Sequence, residues 1–170
     1  IGGSGNFGDG IKMAVEQGAW IRDFAFLKGT YGFHPTADGP RKSQALAFYK
    51  GAIIINQFAE RFVNESISYK LIGTEALRQP NGITYQIWDQ QVMDQSVLGD
   101  ALYDFEKLLE LGLIETAPTL EELAHKINVD AERLQMTVTN YNQAIEEGQD
   151  TFDRTTLTHQ FGKPTVIVQG

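Results

Sequence analysis

Three stretches of this sequence have residue types and spacing that could do chemistry. "ERFVNESISYK" (60–70) sets Arg61, Asn64 and Glu65 beside apolar Phe62 and Val63, and places Tyr69 four residues after the glutamate. A phenol acts as a base or hydrogen-bond donor only where its surroundings lower a pKa of ~10. "FHPT" (33–36) puts the imidazole of His34 beside a rigid proline and among aromatic residues. That arrangement suits either a hydrogen-bonded loop histidine or a donor that positions an anionic or carbonyl group. "GGSGNFG" carries the G-x-G-x-x-G spacing through Gly3, Gly5 and Gly8. The spacing serves a dinucleotide as a tight turn between a strand and a helix whose N-terminus faces the pyrophosphate. Only one residue, Ile1, precedes this stretch, so the required strand is missing.

Other chemistries find little support. His34, His125 and His159 lie far apart, with no second ligand at i, i+4, so no zinc-type site is expected. The absence of cysteine excludes disulfides, thiolate nucleophiles and cysteine metal sites. Glu121, Glu122, Glu146 and Glu147 fall on helical stretches and read as solvated faces. A net charge of -8 argues against nucleic acid as the main partner. The longest aliphatic run, "AIII" at 52–55, is far short of the ~20 residues of a membrane helix. No basic patch followed by an apolar stretch marks a signal peptide, which favours a cytoplasmic location. The opening "IGGSG", without methionine, reads as a fragment, with "GGSG" suggestive of an engineered linker.

The elements that must position these residues fit one domain of 170 residues. "GDGIKMAVEQGA" predicts a short helix capped by Asp9, with Ile11, Ala14 and Val15 on its apolar face and Gly18 as its stop. Residues 20–40 read mainly as loop. "GAIIIN" (51–56) and "RFVNE" (61–65) suggest a hairpin, 66–79 can turn helical, "PNG" is a turn and "ITYQIWD" (83–89) is a strand. The last third predicts helices over 100–112, after Thr119 with its capping-box partner Glu122, and over 130–148, followed by a short apolar strand. Strands in the middle followed by helices give an α+β domain.

Five pieces, in order, resemble one family: "NFGDGIKMAVEQGAW", "FHPT", "GAIIINQFAERFVNE", "ITYQIWDQ" and "TLEELAHKINVDAERLQMTVTNYNQAIEEGQDTFDR". They are similar to the substrate-side domain of FAD-dependent flavoproteins that include soluble fumarate reductases, urocanate-type enoate reductases and 3-ketosteroid dehydrogenases. The resemblance covers about residues 6–155. It implies a substrate-binding cap inserted into a Rossmann-like FAD domain that this chain lacks, with the active site in the cleft between them over the flavin. FAD would then be bound mainly by the missing domain, and the fragment alone would be inactive.

The resemblance also implies roles for particular residues. His34 matches a histidine that helps bind a substrate carboxylate in fumarate reductases, and Thr36 and Gln44 join it as substrate-binding candidates. Gln44 and Ala45 stand where those enzymes carry a Thr-Glu pair, and Phe48 stands at their relay arginine. Five residues past Asn64, where fumarate reductases place a proton-donating arginine, this chain has Tyr69. That tyrosine resembles the ketosteroid dehydrogenase branch, in which it is the base towards a C–H beside a carbonyl while the flavin takes the hydride. Aromatic residues 20–33 with Phe48 and Tyr49 would suit an apolar, ring-shaped carbonyl substrate. Two alternatives stay open: an enoate reductase in which Arg78 or Arg41 replaces the missing arginine, and a non-catalytic small-molecule or partner-binding module.

Overall fold

The structure, a computed structural model, describes residues 5, 7–26, 29–34, 44–156, 160–162 and 166–169. Its frame is a four-stranded antiparallel sheet of β1 (Ile53–Asn56), β2 (Thr84–Trp88), β3 (Glu115–Ala117) and β4 (Val166–Gln169), in the order β1-β2-β4-β3. The helices are α1 (Asp9–Glu16), α2 (Tyr69–Ala76), α3 (Gln90–Met93), α4 (Phe105–Glu110), α5 (Leu120–Ile127) and α6 (Ala131–Glu147). The mixture is α+β.

Alternation along the strands divides the interior in two, because successive side chains leave a strand on opposite faces. Ile54 and Trp88 pack with Ile72 of α2, Val92 of α3 and Phe105 of α4. Ile53, Ile55 and Ile87 pack with Leu123 of α5 and with Leu134, Val138 and Tyr141 of α6. Three consecutive isoleucines are therefore all buried, which only a strand covered on both faces allows.

The three predicted features of the last third hold in outline. Thr119 caps α5 by accepting from the Glu122 N–H, and α6 runs from an Asp130 cap to Gly148 in the left-handed conformation. The helix expected over 100–112 is shorter. Asp104, not Asp100, caps α4, because the Asp100 carboxylate accepts from the N–H groups of Leu102 and Tyr103 and holds a turn instead. β3, three residues without a period, gave no sequence signal.

The hairpin predicted from 51–56 and 61–65 does not form. β1 pairs with β2, and Arg61 contributes only an isolated bridge to Ile55. Asn56 Oδ1 gathers the N–H groups of Phe58 and Glu60 into a tight turn. Beyond it the Ile54 N–H is taken by the Glu65 carboxylate rather than by a partner strand. A side chain thus closes an edge that would otherwise stay open.

α1 also departs from expectation. Gly8, left-handed at φ 75, stands at its N-cap, and Asp9 pairs with Lys12 instead of capping. None of its residues is buried, so Ile11 and Val15 face outward and line one hollow with exposed Trp20 and Phe24; Phe26 is exposed as well.

One glycine holds the segment that carries His34. Gly32 has φ 96, and a Cβ there would lie 2.3 Å from the Ala45 carbonyl oxygen. Gly32→Ala should therefore lower stability by about 1–3 kcal/mol, read as a fall in the urea midpoint.

Candidate functional site

The motif around Arg61 is a buried ionic cluster that joins the middle of the chain to its last quarter. The Arg61 guanidinium meets Glu65 in a fork, Nε to Oε1 at 2.9 Å and Nη2 to Oε2 at 2.6 Å, and also donates to both oxygens of Asp150. Asp150 accepts from the N–H groups of Phe152 and Arg154, and Arg154 donates to the Phe48 carbonyl at 3.0 Å. Both guanidiniums stand over the Tyr141 ring. Alongside, Asn64 donates to the Asp153 carbonyl, and Ser66 Oγ accepts from the N–H groups of Thr155 and Thr156.

Electrostatics follow from this packing. Burial works against the Arg61 charge, yet the two carboxylates outweigh it and hold its pKa above the ordinary value. Burial pushes the Asp150 carboxyl up, but the bonds and charge of Arg61, with the two backbone N–H groups, hold it below the usual range. Arg61, Asn64 and Glu65 thus serve the scaffold, and the sequence block "D…F.R" is their counterpart.

Tyr69, first residue of α2, is half-buried with its ring packed on the first core. Its N–H donates to Tyr49 Oη at 2.9 Å, and that hydroxyl donates to the Ile67 carbonyl at 3.0 Å. No hydrogen bond to the Tyr69 hydroxyl is present among the described residues. Arg78 does not replace an arginine at this place. It lies past the Leu77 C-cap of α2, nine residues beyond Tyr69, and pairs with Glu75 at 2.6 Å. Arg41 lies outside the described residues.

His34 and Gln44 come from two segments that pair through Phe33 and Gln44. Gln44 donates to the Tyr31 carbonyl at 2.9 Å. Thr36 lies outside the described residues. His34 opens on a hollow of about 270 Å³ shared with Tyr85, Glu115 and Lys126, whereas Gln44 lines one of about 570 Å³ with Leu98, Asp104 and Leu108. Tyr69 lines neither. Neither of these hollows therefore brings the three candidates together.

Burial lowers the His34 pKa, so the imidazole is neutral at pH 7. Its folded value lies below the unfolded one, so the unfolded chain binds more protons and stability falls as pH drops below about 6.5. An NMR titration of the His34 ring should give a midpoint below that of a free histidine.

The aromatic residues expected to line a substrate divide into two sets. Tyr31 and Phe48 are buried and pack edge-on at 5.7 Å, with the Tyr31 hydroxyl bonded to Thr84 at 3.0 Å, so they belong to the core. Burial pushes the Tyr31 phenol well above its usual pKa. Trp20, Phe24 and Phe26 are exposed. Tyr49, expected with Phe48 to suit an apolar ring, instead spends its hydroxyl on the backbone at Ile67 and Tyr69.

FAD needs a cradle for its pyrophosphate. Open space surrounds Gly5, Gly8 and Gly10, where an added Cβ would meet nothing within 4 Å. No strand feeds that stretch among the described residues.

A profile of the family described as "FAD binding domain" matches residues 1–168. The chain is 30% identical over 157 residues to a "Fumarate reductase (cytochrome)" from Shewanella frigidimarina, covering 90% of this chain and 26% of that protein. It is 30% identical over 165 residues to a "3-oxosteroid 1-dehydrogenase" from Mycobacterium tuberculosis, covering 88% of this chain and 29% of that protein. The fold is similar to the open conformation of a flavocytochrome c3 fumarate reductase, with a TM-score of 0.75 at 22% identity, over 95% of this chain and 28% of that one. The chain thus spans between a quarter and a third of the length of these proteins. No helix among the described residues is long and apolar enough to cross a membrane. With 168 of its residues matched, the chain belongs to the FAD binding domain family of flavoproteins, whose cofactor is FAD.

Proposed function

We propose that this chain is the substrate-binding cap of an FAD-dependent oxidoreductase acting on a C–C bond beside a carbonyl, like the 3-ketosteroid dehydrogenases. The observation that carries the reading is the division of labour in 60–70. Arg61 and Glu65 are spent in the buried ionic cluster, and the half-buried phenol of Tyr69 stands at the start of α2, where a fumarate reductase would place an arginine. In the oxidative direction Tyr69, as its phenolate, accepts the proton of a C–H beside the carbonyl and becomes the phenol; in the reductive direction the phenol gives that proton back. FAD, when bound, takes or supplies the hydride. His34, Thr36 and Gln44 hold the substrate, with neutral His34 donating to a carbonyl or carboxylate oxygen.

A further feature supports a cap: the outward apolar face of α1 with Trp20, Phe24 and Phe26 suits coverage by a flavin domain of the same protein. A fumarate- or urocanate-like reductase is the second reading, favoured by the 30% identity to a fumarate reductase.

The test uses the full-length, FAD-loaded protein with fumarate, urocanate and 4-androstene-3,17-dione, and a dye as electron donor or acceptor. Oxidation of the ketosteroid is the expected result. Faster turnover of fumarate or urocanate selects the second reading, and no turnover of any compound selects a non-catalytic binding module.

A further inference from the structure

We infer that Tyr49 is a positioning residue for Tyr69, acting through the backbone at the start of α2; this rests on the reading of Tyr69 as the acid/base. The first N–H groups of a helix have no partner inside it and must find one elsewhere. In α2 the Lys70 N–H turns to the Ser68 hydroxyl at 3.4 Å, a long bond for a cap. The Tyr69 N–H instead reaches across the fold to Tyr49 Oη at 2.9 Å. The same hydroxyl donates its proton to the Ile67 carbonyl at 3.0 Å, so one oxygen ties both sides of the turn at Ser68.

Tyr49 is suited to hold a fixed point. It lies in the 3₁₀ turn Ala47–Lys50, which leads through Gly51 and Ala52 into β1, and its ring lies 4.4 Å from that of buried Phe48. A rigid ring on a core turn thus sets where the backbone of Tyr69 sits, and with it where the phenol begins. A misplacement of about 1 Å at a reacting group can cost on the order of 10²-fold in rate. The Ser68 hydroxyl alone leaves the Tyr69 N–H without a partner.

The experiment compares Tyr49→Phe, Tyr69→Phe and the double variant in the full-length, FAD-loaded protein. It reads backbone deuterium uptake over 67–72 and turnover of the three compounds named above. Tyr49→Phe keeps the ring and removes only the oxygen. It should speed uptake over 67–72 and lower kcat about tenfold, the scale of one lost hydrogen bond, with KM changed less than about twofold. If Tyr49 acts through Tyr69, the double variant should be no slower than Tyr69→Phe alone.

Unchanged uptake in Tyr49→Phe, or losses that multiply in the double variant, would overturn the inference. Full activity in Tyr69→Phe overturns the acid/base reading and the inference with it. That failure is recognisable because Tyr49→Phe would then loosen 67–72 without slowing turnover. Absence of wild-type turnover on every compound likewise overturns both.

Discussion

Arg61→Ala should cost the fold about 3–5 kcal/mol, the loss expected when one partner of a buried ion pair is removed. The size of the effect comes from what the variant leaves behind. Glu65 and Asp150 have fully buried side chains, and without the guanidinium Asp150 loses its cation while Glu65 keeps Arg154 at the longer distance of 3.6 Å. Because the total stability of a domain is about 5–15 kcal/mol, the variant should lose much of its urea resistance at neutral pH. Circular dichroism of the chain in urea reads this directly.

The pH arm has a definite sign. The folded pKa of Asp150 lies below its unfolded value, so its contribution is present above about pH 4 and is lost as pH falls through the folded value. The wild-type urea midpoint should decline over that acid range, and Arg61→Ala should flatten the Asp150 part of the decline. A midpoint within experimental error of wild type in Arg61→Ala would mean that the cluster adds nothing to stability.

Tyr69→Phe in the full-length, FAD-loaded protein should lower turnover by about 10²–10⁴-fold, the range for lost acid–base catalysis. The substitution removes one oxygen that makes no hydrogen bond among the described residues and keeps the ring against the first core. Stability should therefore stay within about 0.5 kcal/mol of wild type, which separates a chemical defect from a folding one. Tyr69→Arg offers a second arm. An arginine is always protonated and forks onto carboxylates, so it should not restore ketosteroid oxidation and should favour fumarate over the steroid. Near-normal turnover in Tyr69→Phe would remove the phenol from the reaction.

Much of the fold was legible where local chemistry acts alone. The Thr119 cap, the Asp130-to-Gly148 helix and the strand at 84–88 all follow from signals within a few residues. The misreadings cluster where distant partners decide. "RFVNE" looks like a strand until Asp150 and Arg154 arrive from the far end of the chain to claim its side chains. The α1 stripe looks like a core face because periodicity marks a face as apolar without naming what covers it. At the candidate site, Tyr69 could be singled out by comparison of its place with that of an arginine. Tyr49 could be marked only as an aromatic suited to the substrate, because its hydroxyl bonds an N–H and a carbonyl about twenty residues away.

The place of β4 has a consequence for how the protein is made. It comes last among the strands yet lies between β2 and β3, pairing with both. Among the described residues β3 pairs with β4 alone, so before β4 joins, these strands are a two-stranded ribbon and an isolated segment. Helices α5 and α6 can form early, but the surface they cover is completed only by residues made about fifty positions after β3. Such long-range closure is slow compared with local contacts, and the nascent chain meanwhile exposes apolar strand edges of the kind chaperones shield.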